Sequence, residues 1–105
     1  MSVAINHQPL LNATHFIDPQ QGLVDSAKLL ADATIDALST NANATIDFTG
    51  FRSVSSSYFN MLLSRVAETC GNDAIRSRLT FRFLSAAQEN IFKRSFDAVL
   101  KSRGD

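Results

Sequence analysis

The chain is 105 residues long, the usual size of one domain and too short for two separate cores. Its 45% apolar and 19% charged residues, with eight Phe, exclude the composition of a disordered chain. Ten basic side chains balance ten acidic ones, so no overall field draws in nucleic acid or an anionic membrane surface.

Val3 and Ile5, the polar group Asn6 to Pro9, and then Leu10 and Leu11 predict a short strand, a turn and a second strand reaching Phe16 and Ile17. Asp18 followed by Pro19 is a helix-start signal, because the Asp side chain accepts from open amides and Pro suits the first helical position. From Leu23 to Leu38 the apolar positions recur every three or four residues, with Asp25, Lys28, Asp32 and Asp36 largely off that stripe. The pattern is that of an amphipathic helix lying on a core.

Ser39 to Asn43 is polar and turn-forming, and Ala44-Thr45-Ile46-Asp47-Phe48 then reads as a strand. Thr49 and Gly50 break it. Ser55, Ser56 and Ser57 precede a second periodic stretch, from about Ser56 to Cys70, that would bury Phe59, Leu62, Leu63, Val66, Ala67 and Cys70. Gly71 is placed to end that helix in a left-handed conformation. Leu79 to Leu84 alternates, with Leu79, Phe81 and Phe83 on one face of a strand. Ser85 and Gln88 form a capping-box pattern ahead of a last apolar stripe through Ile91, Phe92, Phe96, Val99 and Leu100. Strands alternating with helices predict an α/β fold with one open, mostly parallel sheet, and residues 1–105 as a single domain.

Cys70 is the only cysteine, which excludes an internal disulfide and fits the reducing cytoplasm. Residues from Met1 to Asn12 do not read as a signal peptide, and no apolar run approaches the roughly 20 residues needed to cross a bilayer. Catalytic apparatus is thin. His7 and His15 have neither a Cys nor an acidic cluster beside them, so they read as surface or turn histidines and no metal site is expected. Cys70, at the end of an apolar stripe, reads as an inert thiol. No phosphate-binding loop, nucleophile turn or dinucleotide fingerprint is present. The chain is therefore expected not to be an enzyme and to need no cofactor.

Asp47, at a strand end, reads as a cap for a loop amide. Arg76, Arg78, Arg82, Lys93 and Arg94 give the last third a basic bias, which reads as a solvated face sooner than as a groove for an acidic partner. A small-ligand site would require Asp47 and these basic residues to converge. The unusual feature is the hydroxyl-rich junction from Phe48 to Phe59, where Ser55, Ser56 and Ser57 meet the start of a helix. A phosphate on Ser56 or Ser57 would add nearly two negative charges at the positive end of that helix.

Thr45-Ile46-Asp47-Phe48, Phe51, Val54-Ser55-Ser56-Ser57-Tyr58-Phe59 and Leu62-Leu63 resemble the STAS superfamily, most closely its short bacterial STAS-like proteins of unassigned function. The resemblance runs from about Ala44 to Leu100. In the anti-sigma factor antagonists of that superfamily, Asp-Ser-Ser/Thr-Gly stands at a helix N-terminus, and a partner kinase that is itself the anti-sigma factor phosphorylates a serine there. The resemblance implies Ser55 at the Asp position, Ser56 and Ser57 at the hydroxyl positions, and Tyr58 at the Gly position. A register one residue on, with Ser57 followed by Tyr58 as in Ser-aromatic variants, fits equally well.

The resemblance implies a regulatory domain that docks a protein partner, such as a kinase-like ATPase acting as an anti-sigma factor. Ser56 or Ser57 would be the switch, Phe51 and Tyr58 the apolar contacts, and Arg52 and Ser55 the polar ones. The alternative is a constitutive interaction module in which the serines only cap the helix.

Overall fold

A computed structural model describes residues 9–17, 20, 22–52 and 54–102. The expected strand at Val3 and Ile5, His7, and the Asp18–Pro19 helix start lie outside the described residues. The elements are β1 (Leu10–Asn12), a 3-10 turn (Ala13–Phe16), α1 (Leu23–Thr40), β2 (Ala44–Asp47), α2 (Ser56–Cys70), α3 (Asn72–Arg78), β3 (Leu79–Arg82) and α4 (Ala86–Ser102).

Among the described residues the strands form one sheet in the order β1-β2-β3, and both pairings are parallel. Leu11, Ile46 and Phe81 stand in register on one face, with Ala44 opposite Leu79. Leu10, Thr45 and Thr80, then Asn12, Asp47 and Arg82, form the rows of the other. Ala44, Ile46 and Phe48 are fully buried, whereas Leu10, Thr80 and Arg82 are exposed. A sheet that advances strand by strand in one direction, through crossovers of the usual hand, places its connecting helices on one face. The packing agrees: α1 lies on α2, and α2 on α4. The result is a two-layer α/β domain, and its alternating strands reflect burial on one side only.

The second strand is shorter than expected. Asn12 Oδ1 accepts from the Thr14 amide at 3.1 Å and from the Thr14 hydroxyl at 2.7 Å, so its side chain competes with the ladder and turns the chain into the 3-10 segment. Phe16 therefore closes that turn and Ile17 follows it, and neither extends the strand. α3 has no counterpart in the hydrophobic pattern, since its seven residues bury only Ala74 and Ile75. Gly71 between α2 and α3 adopts φ +92°, ψ 160°, and its amide closes α2 on the Ala67 carbonyl at 2.9 Å. Its ψ takes it out of the left-handed helical region expected of it and into an extended positive-φ region that is nearly exclusive to glycine.

Candidate functional site

The junction between β2 and α2 is pinned from beneath. Phe48, fully buried, meets Phe59 edge-on at 5.1 Å and stacks on Phe83 at 5.9 Å. Phe51, Val54 and Tyr58 are also buried, and the Phe51 and Tyr58 rings meet edge-on at 5.5 Å. Each buried ring contributes about 1.5–3 kcal/mol by leaving water. The expectation that Phe51 and Tyr58 offer apolar contacts to a partner is thereby corrected. Hydrophobicity at a loop and helix start signals a contact surface only if the ring stays in water, and here both rings are drawn into the aromatic cluster.

Polar groups complete the loop. Asp47 Oδ1 accepts from the Thr49 amide at 2.8 Å and from the Thr49 hydroxyl at 2.6 Å. These two bonds, hydroxyl first and amide second, hold the Asp47 carboxyl below the usual carboxylate range, with Arg82 adding to the effect. Asp47 is thus the turn cap its position predicts. The Phe51 amide donates to the Phe48 carbonyl at 3.0 Å. From α4, the Gln88 side-chain amide donates to the carbonyls of Phe48 at 3.2 Å and Phe51 at 3.3 Å, while its oxygen accepts from the Leu84 amide at 2.7 Å. The Gln88 amide in turn donates to Ser85 Oγ at 3.1 Å, so the expected capping box forms, with its return bond one residue earlier than the usual pattern. At Gly50 an added Cβ would lie 2.6 Å from Thr14 Cγ2, so the loop closes on the 3-10 turn at a distance no side chain allows.

Above this frame the polar residues face outward. Ser55 Oγ accepts from the Tyr58 amide at 3.3 Å and is the N-cap of α2. Ser56 and Ser57 occupy the first turn with exposed side chains that make no hydrogen bond among the described residues. Arg52 is exposed beside them in sequence. The two serines open onto opposite flanks of α2. Ser56 faces a groove against α4 with Ile91, Arg94, Ser95 and Ala98, and Ser57 one against α1 with Val24, Arg65 and Glu68. Asn60 forms the ridge between them.

The basic residues of the last third do not converge. Arg78 donates to the carbonyls of Leu38 at 2.6 Å, Asn41 at 2.8 Å and Ala42 at 2.8 Å, which caps the end of α1. This capping role is invisible in sequence, because its acceptors lie 36 to 40 residues away. Lys93 pairs with Glu89 at 3.6 Å, Arg82 stands beside Asp47 on the open sheet face, and Arg94 lies in the α2–α4 groove. Among the described residues no group of His, Cys, Asp and Glu is placed to hold a metal ion, and His15 lies exposed in the 3-10 turn. Cys70, expected to be buried by the α2 stripe, is instead a half-buried free thiol, because it stands in the last turn of the helix. No helix among the described residues is long and apolar enough to cross a membrane.

A parallel sheet covered on one face by helices, with a short loop leading from its central strand into a serine-rich helix start, defines a two-layer α/β domain with its candidate site at the β2–α2 junction. The chain belongs to the family of the STAS-like domain of unknown function (DUF4325), whose model matches residues 26–89. That span runs from α1 to the first turn of α4 and contains the whole β2–α2 junction. No curated protein and no solved structure matches the chain significantly.

Proposed function

We propose that this domain regulates by docking a protein partner at the start of α2, and that phosphorylation of Ser56 or Ser57 releases that partner. The chain itself catalyses no reaction in this reading. Its partner is a kinase-like ATPase of the kind that serves as an anti-sigma factor, which supplies the phosphoryl group.

One observation carries the proposal: Ser55 alone caps the helix, while the hydroxyls of Ser56 and Ser57 stand in solvent with no structural duty. A phosphate there adds about −1.5 to −2 charges near the amide end of a helix, where the fold accommodates them. A partner seated over the same turn has to desolvate those charges or be repelled. Arg52 and Ser55, both exposed, offer polar contacts at its edge.

The test is recovery of partners from native lysate with wild-type protein and with Ser56→Asp/Ser57→Asp, alongside intact-mass analysis of the endogenous protein. An ATPase recovered by the wild type and lost with the acidic pair, together with a phosphate on either serine, is the expected result. Equal recovery by both forms with no phosphate would make the domain a constitutive interaction module.

A further inference from the structure

The two serines share one helix end, so that end does not distinguish them, but the grooves they face carry different charges. The Ser57 groove contains Arg65, whose Nε is already bonded to Asp32 at 2.8 Å, and the carboxylate of Glu68. A phosphate on Ser57 would meet the Glu68 carboxylate and a guanidinium already committed to Asp32. The Ser56 groove, about 410 Å³, contains Arg94, and no acidic residue lines it. Arg94 is exposed and forms no ion pair among the described residues. The nearest acids in sequence on its helix are Glu89, paired with Lys93, and the exposed Asp97. The groove walls are held together where the Ser95 hydroxyl donates to the Ser56 carbonyl at 3.3 Å, so Arg94 is presented beside the first turn of α2.

We propose that Ser56, and not Ser57, is the modified residue, and that its phosphate is captured within the chain by the Arg94 guanidinium. This rests on the reading of the α2 start as a phosphorylated switch. The donor is a nucleoside triphosphate bound by the kinase. Ser56 Oγ forms the new bond to the γ-phosphorus, the bond to the β-phosphate oxygen breaks, nucleoside diphosphate leaves, and the hydroxyl proton passes to a base of the kinase. A guanidinium fork suits two of the three terminal oxygens of a phosphoserine, and Arg94 belongs to α4 beyond the span that the family model covers. Capture gives the modified form an ion pair in this groove where the unmodified form presents a guanidinium unpaired among the described residues.

The full chain with phosphoserine incorporated at position 56, or at position 57, can be titrated by phosphorus NMR. A free phosphoserine has its second ionisation near pH ~6. With Arg94 beside it, the phosphate at Ser56 should ionise about 1 pH unit lower than that at Ser57. Arg94→Gln should bring the two together while leaving the phosphate at Ser57 unmoved. Equal ionisation of the two phosphates in the wild-type background would overturn the capture, as would a convergence produced by Arg52→Gln in place of Arg94→Gln. The titration involves no partner, so its failure leaves the docking reading to stand or fall on partner recovery alone.

Discussion

Removing the Gln88 side chain should loosen the loop that presents the serines, even though Gln88 touches none of them. Its three bonds satisfy the Leu84 amide and the carbonyls of Phe48 and Phe51. In Gln88→Ala the Phe48 carbonyl keeps the Phe51 amide as a donor, so two groups lose their partner, the Phe51 carbonyl and the Leu84 amide. Gln88 is only 6% exposed, so water reaches the site poorly. At about 1–1.5 kcal/mol for each orphaned group, the cost is about 2–3 kcal/mol. With a urea slope of roughly 1.5 kcal/mol/M, the unfolding midpoint falls by somewhat under ~2 M with the slope unchanged. Gln88→Glu is a stricter variant. It keeps the acceptor for Leu84 but turns a carboxylate toward two carbonyl oxygens, which favours the neutral form and raises the folded-state pKa of the new acid above its unfolded value of about 4.3. The variant should therefore be least stable at neutral pH and recover as pH falls through that raised pKa, because only the protonated acid can donate to a carbonyl. A Gln88→Ala midpoint within ~0.3 M of wild type, a shift of under ~0.5 kcal/mol on that slope, would refute the clamp.

The three serines separate in the same urea assay: Ser55→Ala should cost about 1 kcal/mol through loss of the N-cap bond to Tyr58, whereas Ser56→Ala and Ser57→Ala should each stay within ~0.5 kcal/mol. Asp47 supplies an acid-side signature. Its folded pKa lies below the unfolded one because of Thr49, so its contribution is complete above the unfolded pKa, near pH ~4, and is lost as pH falls through the folded value. Asp47→Ala should flatten the dependence of stability on pH below about 4, and an unchanged acid limb would show that the Thr49 bonds contribute nothing.

The elements carried by periodicity were legible in the sequence. α2 begins and ends at Ser56 and Cys70 as its apolar spacing and the flanking Ser55 and Gly71 require, and β2 and β3 fall within the expected strands. Two kinds of feature were not. Short elements such as α3 and the 3-10 turn are set by one or two local bonds and bury too few residues to leave a pattern. Long-range polar contacts, such as Arg78 across to the end of α1 and Gln88 across to the β2–α2 loop, join residues that carry no mutual signal along the chain. At the junction the helix-capping serine was legible in the sequence and the aromatics were misread. Composition places Phe51 and Tyr58 at the junction but does not say on which side of the backbone they lie, and Phe48 settles that by gathering them inward.

The inward aromatics also bear on how a switch at this junction would act. The fully buried ring of Tyr58 anchors the first turn of α2 from beneath. Burial pushes its phenol well above its ordinary pKa, so the hydroxyl stays neutral and adds no charge to the site. Phe48, Phe51, Val54 and Tyr58 lie in the core and Gln88 holds two loop carbonyls, so the described residues of the junction are anchored from beneath. A phosphate at a helix start anchored in this way would act through its field more than through a change of shape. On the proposed reading, the charge on the outer surface of α2, and whether Arg94 takes it up, is what a partner would meet there.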